Sequence, residues 1–313
     1  MDIDAGPGAG AGGRVERERC DVAGGQLAHS PALSRFSVRG DATVPELPEV
    51  ETYARELRSH LVGRRIRAVA IRWPGVVEQA APADFAVALQ GQQIINVARR
   101  GKYLLFPLQN GMTLIVHLRM TGNLTVTSAT DVADLHTHIV LELDDGQALH
   151  FNDPRKFGRF WLTTDPQTVV GRLGPEPLDG AFTAQELAVR MRKRVAPIKA
   201  VLLDQTVVAG LGNIYADEVL FAARIDPRRP ANSLEHGEIL RLHAAIRSVL
   251  TEAIRACGSS LRNYRPPLTA RGRFQEQFQV FRRTGEPCRI CGAPIERIRL
   301  AQRSTHFCPV CQR

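Results

Sequence analysis

Lysine is almost missing from this 313-residue sequence: Lys102, Lys156, Lys193 and Lys199 are the whole set. Positive charge is carried by arginine instead, and 41 Lys+Arg against 32 Asp+Glu leave a formal net charge of +9. The planar guanidinium fork matches phosphate, so this choice of cation points to a polyanionic partner. Also missing is any apolar run near the roughly 20 residues that cross a bilayer, which excludes a helical span and leads us to expect a soluble chain with no membrane partner. Residues 1–44 contain no hydrophobic signal core, and their early acids argue against a transit peptide. With 44% hydrophobic residues the chain is not wholly disordered, and its length suffices for two domains.

The charge that is present is unevenly placed. Residues 1–44 hold five Arg against four Asp and two Glu, whereas residues 262–313 hold eleven Arg and three Glu. The first 44 residues are rich in Gly, Ala, Ser and Arg without periodicity, and read as a disordered leader or a mis-assigned start. The arginine-rich tail contains Cys288, Cys291, Cys308 and Cys311, a C-x2-C pair, sixteen residues, and a second C-x2-C pair. That spacing suits one tetrahedral, structural Zn²⁺, each close pair clamping the ion from a tight knuckle. Two disulfides would be the alternative, and they fit poorly in a chain without a secretory signal. Cys20 and Cys257 lack partners at such spacing and read as a leader residue and a packed helix residue.

From Pro45 the texture changes. Val50, Ala54, Leu57 and Leu61 recur at helical spacing and Gly63 follows as a stop. Short β-rich runs come next: 66–71, 94–97, 103–106, 113–118, 138–143 and 148–151. Turns at Asn110-Gly111 and Asp145-Gly146 separate some of them. The pattern predicts a β-sandwich or barrel led by one helix. Gly171–Gly180, with Pro175 and Pro177, reads as a linker, and helices are expected over 183–193, 197–204, 214–223 and 233–256. The fold class is therefore α+β, ending in loops, short strands and the zinc knuckles.

Several separated motifs occur in one order. They are Pro45-Glu46-Leu47-Pro48-Glu49-Val50-Glu51-Thr52, Arg100-Gly101-Lys102-Tyr103, His117-Leu118-Arg119-Met120-Thr121-Gly122 and Asp153-Pro154-Arg155-Lys156-Phe157-Gly158. Gly174-Pro175-Glu176-Pro177, Leu211-Gly212-Asn213-Ile214-Tyr215-Ala216-Asp217-Glu218 and Ala301-Gln302-Arg303-Ser304-Thr305 complete the set. Over residues 45–313 the chain closely resembles the bacterial formamidopyrimidine-DNA glycosylases, which repair 8-oxoguanine. The resemblance implies a catalytic β-sandwich over 45–173, a linker over 174–182, a helix–two-turn–helix domain with a lesion-capping loop over 183–277, and a zinc finger over 278–313. It also implies a cytoplasmic, nucleoid-associated monomer acting on duplex DNA that contains oxidised bases.

Site residues follow from the same resemblance. Pro45 matches the family's N-terminal nucleophile; a secondary amine attacking C1′ gives a cationic iminium directly, and an α-amino group with a pKa of roughly 8 is available near neutrality. Glu46 would be the proton donor, with Glu49 supporting the same pocket. Lys102 matches the β-elimination lysine, and Arg303 the phosphate-gripping arginine of the δ-elimination step. Met120, Arg155 and Phe157 match the residues that fill the hole left by a flipped nucleotide. His136, Arg194, Lys199 and Asn213 are placed near the DNA. Read alone, Pro45 is an ordinary helix-start proline, Met120 and Phe157 are core residues, and Lys102 and Arg303 are solvated charges.

Asn213 follows Gly210 and Gly212 at the start of an expected helix, where backbone N–H groups can hold a phosphate. Tyr215 occupies the third glycine position of a dinucleotide fingerprint, so that fold is excluded. His136 and His138 share a strand face as a metal pair would, without an evident third ligand.

Two departures stand out. Pro45 follows Val44, and an acylated proline nitrogen is no nucleophile; a GTG start codon at Val44, with removal of the initiating Met, would expose it. Residues 262–279 hold Pro266-Pro267 and only Gly272 where the family's capping loop is glycine-rich. Two other readings stay open: a sister enzyme of the endonuclease VIII type that removes oxidised pyrimidines, and a catalytically silent DNA-binding protein whose Pro45 remains capped.

Overall fold

The computed structural model describes residues 45–260 and 272–313. The leader expected over 1–44, Cys20 and the 261–271 part of the expected capping loop lie outside the described residues.

Helix α1 (Leu47–Leu61) starts where Pro48 fits the first turn and where the Glu49 carboxylate turns back to accept the Glu46 N–H at 3.0 Å. It ends before Gly63, at φ +85°. Val50, Tyr53, Ala54, Leu57 and Leu61 form its buried stripe. Each aliphatic among them contributes about 1.5–3 kcal/mol by leaving water.

The strands are β1 (Ile66–Ile71), β2 (Ala98–Arg100), β3 (Tyr103–Pro107), β4 (Thr113–His117), β5 (Asn123–Ser128), β6 (Thr137–Leu143), β7 (Gln147–Asn152) and β8 (Arg159–Thr163), with helix α2 (Pro82–Leu89) after β1. They form two antiparallel four-stranded sheets, β1-β6-β7-β5 and β2-β3-β4-β8. One apolar cluster joins α1 to both sheets, through residues such as Leu57, Leu104, Val116, Leu141 and Phe151. The expected β-sandwich with a leading helix is therefore present. The expected strand at 94–97 is not: Ile94 makes only an isolated bridge to Leu108, and pairing starts at Ala98. Strands β5 and β8 were not anticipated, because β5 buries only Leu124 and Val126 and β8 only Phe160.

Beyond β8 come α3 (Gln167–Val170), α4 (Ala184–Met191), α5 (Ile198–Leu203), α6 (Asn213–Ala223) and α7 (His236–Arg255). Helices α4 to α7 share a second core that includes Leu187, Leu202, Tyr215, Leu220 and Leu250, and Leu47 from α1 also belongs to it. The first turn of α1 is thus planted in the helical core while the rest of the helix lies on the sandwich. Cys257 is buried just past α7.

The hairpin of β9 (Glu296–Leu300) and β10 (Arg303–Phe307) completes the fold. Ala301 and Gln302 both have positive φ, the geometry of a tight two-residue hairpin turn. Helix α6 anchors this last segment. The Glu218 carboxylate accepts the N–H groups of Gln279, Val280 and Phe281 at 2.8, 3.1 and 2.8 Å. Among the described residues no helix is long and apolar enough to cross a membrane.

Candidate functional site

A cleft of about 1210 Å³ is lined by Glu46, Lys102, His117, Met120 and Phe157 on the sandwich side and by Asn213 and Arg303 on the other. Glu46, directly after the buried Pro45, is 2% exposed. Its Oε1 accepts the Ile214 N–H at 2.9 Å and its Oε2 the Tyr215 N–H at 3.4 Å, at the N-terminus of α6. The approach depends on Gly212, where a Cβ would stand 2.3 Å from the Glu46 Cδ. Burial raises the Glu46 carboxyl to about 7, with Lys102 opposing and Glu49 adding to the shift. Glu46 is thus poised near neutrality, as a proton donor requires.

Glu49 lies behind it and is buried. Its Oε1 accepts the Tyr215 hydroxyl at 2.6 Å and the Ser259 N–H at 2.7 Å. Burial raises its pKa too, against these hydrogen bonds. Glu49 holds α1, α6 and the end of α7 in one place, so it acts on Glu46 from behind.

Lys102 sits in the β2–β3 turn, half-buried, and burial lowers its pKa while the Glu46 and Glu49 carboxylates pull the other way. His117 shares its wall of the cleft. His117 is 8% exposed; its ring stands edge-on to Tyr103 with centroids 4.6 Å apart and accepts the Arg119 N–H on Nδ1 at 3.0 Å. Burial, together with the Arg119 and Lys102 charges, lowers its pKa to about 3. His117 is therefore a neutral imidazole with its proton on Nε2, holding a turn in which Arg119 has φ +56° and Met120 follows. The sequence motif around His117 assigns it no part. Its only sequence signal is its place three residues before Met120.

Met120, Arg155 and Phe157 meet. An Arg155 guanidinium nitrogen lies 3.4 Å from the Met120 sulfur, and its Cζ lies 4.6 Å from the Phe157 ring centre. Buried Asp153 shapes their loop, accepting the Phe157 and Gly158 N–H groups at 2.7 Å each and the Thr121 hydroxyl. Phe157 remains 41% exposed, an apolar side chain held out on a fixed loop. Asn213 opens α6 with an amide oxygen that has no protein partner, and Arg303 stands exposed after the hairpin turn. The first amides of α6 already hold Glu46, so the exposed Arg303 guanidinium and the Asn213 side-chain amide are what suit a phosphate chain crossing the cleft.

Four expected DNA-side residues are not among those lining the cleft: Arg155, which meets Met120 and Phe157 as described, and His136, Arg194 and Lys199. His136 is exposed on the loop before β6, and Arg194 pairs with Asp204 at 3.3 Å. Lys199 is fully buried, paired with Asp217 at 2.6 Å and donating to the Ser304 carbonyl at 2.8 Å. His138 does not form a metal pair: its Nε2 bonds the Asp153 carbonyl at 2.8 Å.

The four cysteines converge, their sulfurs within 4.8 Å of one another. Cys288 to Cys311 is 3.9 Å and Cys291 to Cys308 is 3.5 Å. Tetrahedral Zn²⁺ with bonds of about 2.3 Å needs sulfurs about 3.8 Å apart, so the set fits one ion. Four thiolates leave no open position, so its role is structural.

A two-sheet domain, a helical domain and a four-cysteine finger around one basic cleft define a DNA-repair glycosylase of the zinc-finger, helix–two-turn–helix kind. Three family models match: the formamidopyrimidine-DNA glycosylase N-terminal domain over residues 44–160, the H2TH domain of the same enzymes over 173–265, and a zinc finger found in FPG and IleRS over 285–313. The formamidopyrimidine-DNA glycosylase of Herpetosiphon aurantiacus is 52% identical over 273 residues, covering 86% of this chain and 100% of that protein. That of Desulfitobacterium hafniense is 50% identical with the same coverage. A Lactococcus lactis FPG variant in complex with DNA containing Fapy-dG superposes with a TM-score of 0.81 at 41% identity, over 86% of this chain and 100% of that one. The Thermus thermophilus MutM (FPG) protein gives 0.78 at 44%, over 86% and 98%. This chain belongs to the formamidopyrimidine-DNA glycosylase family.

Proposed function

We propose that this chain, a DNA glycosylase/AP lyase by family, excises oxidised purines (8-oxoguanine and formamidopyrimidines) from duplex DNA and cuts the strand through Pro45. The Pro45 amine attacks C1′ as the bond to the base breaks; the electron pair of that bond leaves with the base, which takes up the proton that the proline nitrogen gives up. Glu46, neutral at its raised pKa, gives a proton to the ring oxygen as the sugar opens, leaving a cationic iminium on Pro45. Loss of a C2′ proton then expels the 3′ phosphate, with Lys102 as the nearby amine; loss of a C4′ proton expels the 5′ phosphate, with Arg303 gripping it. Water releases the sugar fragment and restores the amine.

The observation that carries this reading is Glu46, a buried residue that lines the cleft with its carboxyl near 7 and adjoins Pro45. Met120, Arg155 and Phe157 are taken as the residues that fill the gap in the stack, and Asn213 and Arg303 as phosphate contacts, with His136 and Arg194 reaching flanking DNA. Lys199 acts from inside, through the hairpin that bears Arg303. The catalytic sandwich is assigned to 45–173, the linker to 174–182, the helix–two-turn–helix domain to 183–277 and the finger to 278–313. The expected setting is a monomer on the bacterial nucleoid, in a cytoplasm that keeps the four thiols reduced.

A panel of duplexes tests the proposal. Zinc-loaded protein with a free Pro45 should excise 8-oxoguanine and formamidopyrimidines and leave β,δ-elimination ends. A preference for oxidised pyrimidines would move the chain to the endonuclease VIII type. Tight binding without excision would make it a silent DNA-binding protein.

A further inference from the structure

Glu176 lies on the extended segment between the sandwich and the helices, and its carboxylate faces back onto the sandwich. Oε1 accepts the Gly101 N–H at 2.5 Å and an Arg100 guanidinium N–H at 3.0 Å, and Oε2 takes Arg99 at 2.8 Å. Arg99 also donates Nε to Glu51 on α1 at 2.9 Å, and Arg100 donates to the carbonyls of Leu173 and Gly174 at 3.1 and 2.5 Å. The Arg99 and Glu176 side chains are only 10% and 20% exposed, so water screens these pairs weakly. The Arg99 and Arg55 guanidinium groups hold Glu51 below the ordinary carboxylate range although burial pushes it up.

Every hydrogen bond of the Glu176 carboxylate lands on the three residues before Lys102. Gly101 has φ +55°, and a Cβ there would meet Leu173 at 3.3 Å and Ala209 at 3.4 Å. The turn is therefore pressed against the linker and the loop before α6. Through Arg99 and Glu51 the same frame reaches α1, one turn beyond Glu46. Glycosidic cleavage needs Pro45 and Glu46, and elimination needs Lys102. This frame fixes the distance between the two groups from outside the cleft.

We infer that Glu176 is a positioning residue for Lys102, setting where its turn sits relative to Pro45 and Glu46. The inference rests on the proposed role of Lys102. A carboxylate that merely strapped the linker down would change stability and DNA affinity, but its effect would not depend on the lysine. A positioning carboxylate changes the elimination step, and only while Lys102 is present.

The test is single-turnover β-elimination on a duplex with an abasic site, using zinc-loaded protein with a free Pro45. The variants are Glu176→Ala, Glu176→Gln, Lys102→Ala and the Glu176→Ala/Lys102→Ala double. Glu176→Ala should slow elimination by about 10- to 100-fold with little change in half-saturating DNA, the scale of an ångström-level misplacement. Glu176→Gln keeps an acceptor for the Gly101 amide and should recover most of the rate. In the Lys102→Ala background, Glu176→Ala should cost less than about twofold, the limit of non-interaction between sites. Losses that multiply, or a Glu176→Ala rate near wild type beside a slow Lys102→Ala, overturn the inference alone. A Lys102→Ala protein at the wild-type rate overturns the functional reading and this inference with it. If Glu176→Ala does not fold, Glu176→Asp carries the same comparison, since it keeps the charge but must draw the turn back to reach Gly101.

Discussion

The Lys199 ammonium lies 2.6 Å from the Asp217 carboxylate where both side chains are fully buried. Burial lowers the lysine's pKa and Asp217 restores part of it. The other Asp217 oxygen accepts the His306 N–H at 2.9 Å, so two bonds from α6 and α5 hold the strand that begins with Arg303. Lys199→Met leaves the Asp217 charge uncompensated, and should cost about 3–5 kcal/mol in chemical denaturation. The double variant Lys199→Met/Asp217→Asn should lose less than the two single variants added together. DNA affinity should fall with the order of the hairpin, measured as a weaker salt-dependent binding constant.

Gly212→Ala should abolish excision while leaving most of the stability. An added Cβ would lie 2.5 Å from the Glu46 Oε1, so the carboxylate must leave its two amide donors at the head of α6. A loss of at least about 100-fold in the glycosylase step is expected. Near-wild-type excision by Gly212→Ala would remove Glu46 from the mechanism.

Glu218 gives a pH signature. Burial raises its carboxyl to about 7 although three backbone N–H groups lower it. As pH rises from about 4.5 to 7, the unfolded chain gives up this proton and the folded chain keeps it. Stability from this group is therefore lost through that window, by up to about 3 kcal/mol, and is flat above it. Glu218→Gln does not titrate. It should start less stable, because one amide oxygen faces three donors, and should gain on the wild type as pH rises from 5 to 7.5. Parallel stability profiles would contradict the raised pKa.

Metal removal should act on binding before chemistry. Chelation leaves four close thiols without their ion, so the hairpin bearing Arg303 should melt as a unit and DNA affinity should drop by at least about tenfold. The sandwich core shares no residue with the finger's own cluster around Val280, Cys288 and Cys308, and should keep its melting transition. Calorimetry of holo- and apo-protein separates the two.

What could be read in advance depended on how local the signal was. The cysteine cluster was legible because four ligands at fixed short spacing need little else. Helix α1 was legible because its buried stripe repeats every turn. Strands β5 and β8 become evident only through their pairing with β7 and β4. Resemblance gave Lys199 an address near DNA but not the direction of its side chain, and the structure turns it inward to Asp217. Glu218 and His117 were silent because their partners are backbone amides, which have no sequence signature, and Glu176 because its partners, two arginines and the Gly101 amide, lie far back along the chain.

Excision and strand cleavage both require the nitrogen of residue 45. Borohydride reduction during turnover of an 8-oxoguanine duplex, followed by peptide mass spectrometry, reads it directly. The expected result is one sugar adduct on a peptide that begins at Pro45, absent when Val44 or any longer leader is retained. An adduct on Lys102, or efficient excision with no adduct and the leader still attached, would contradict it.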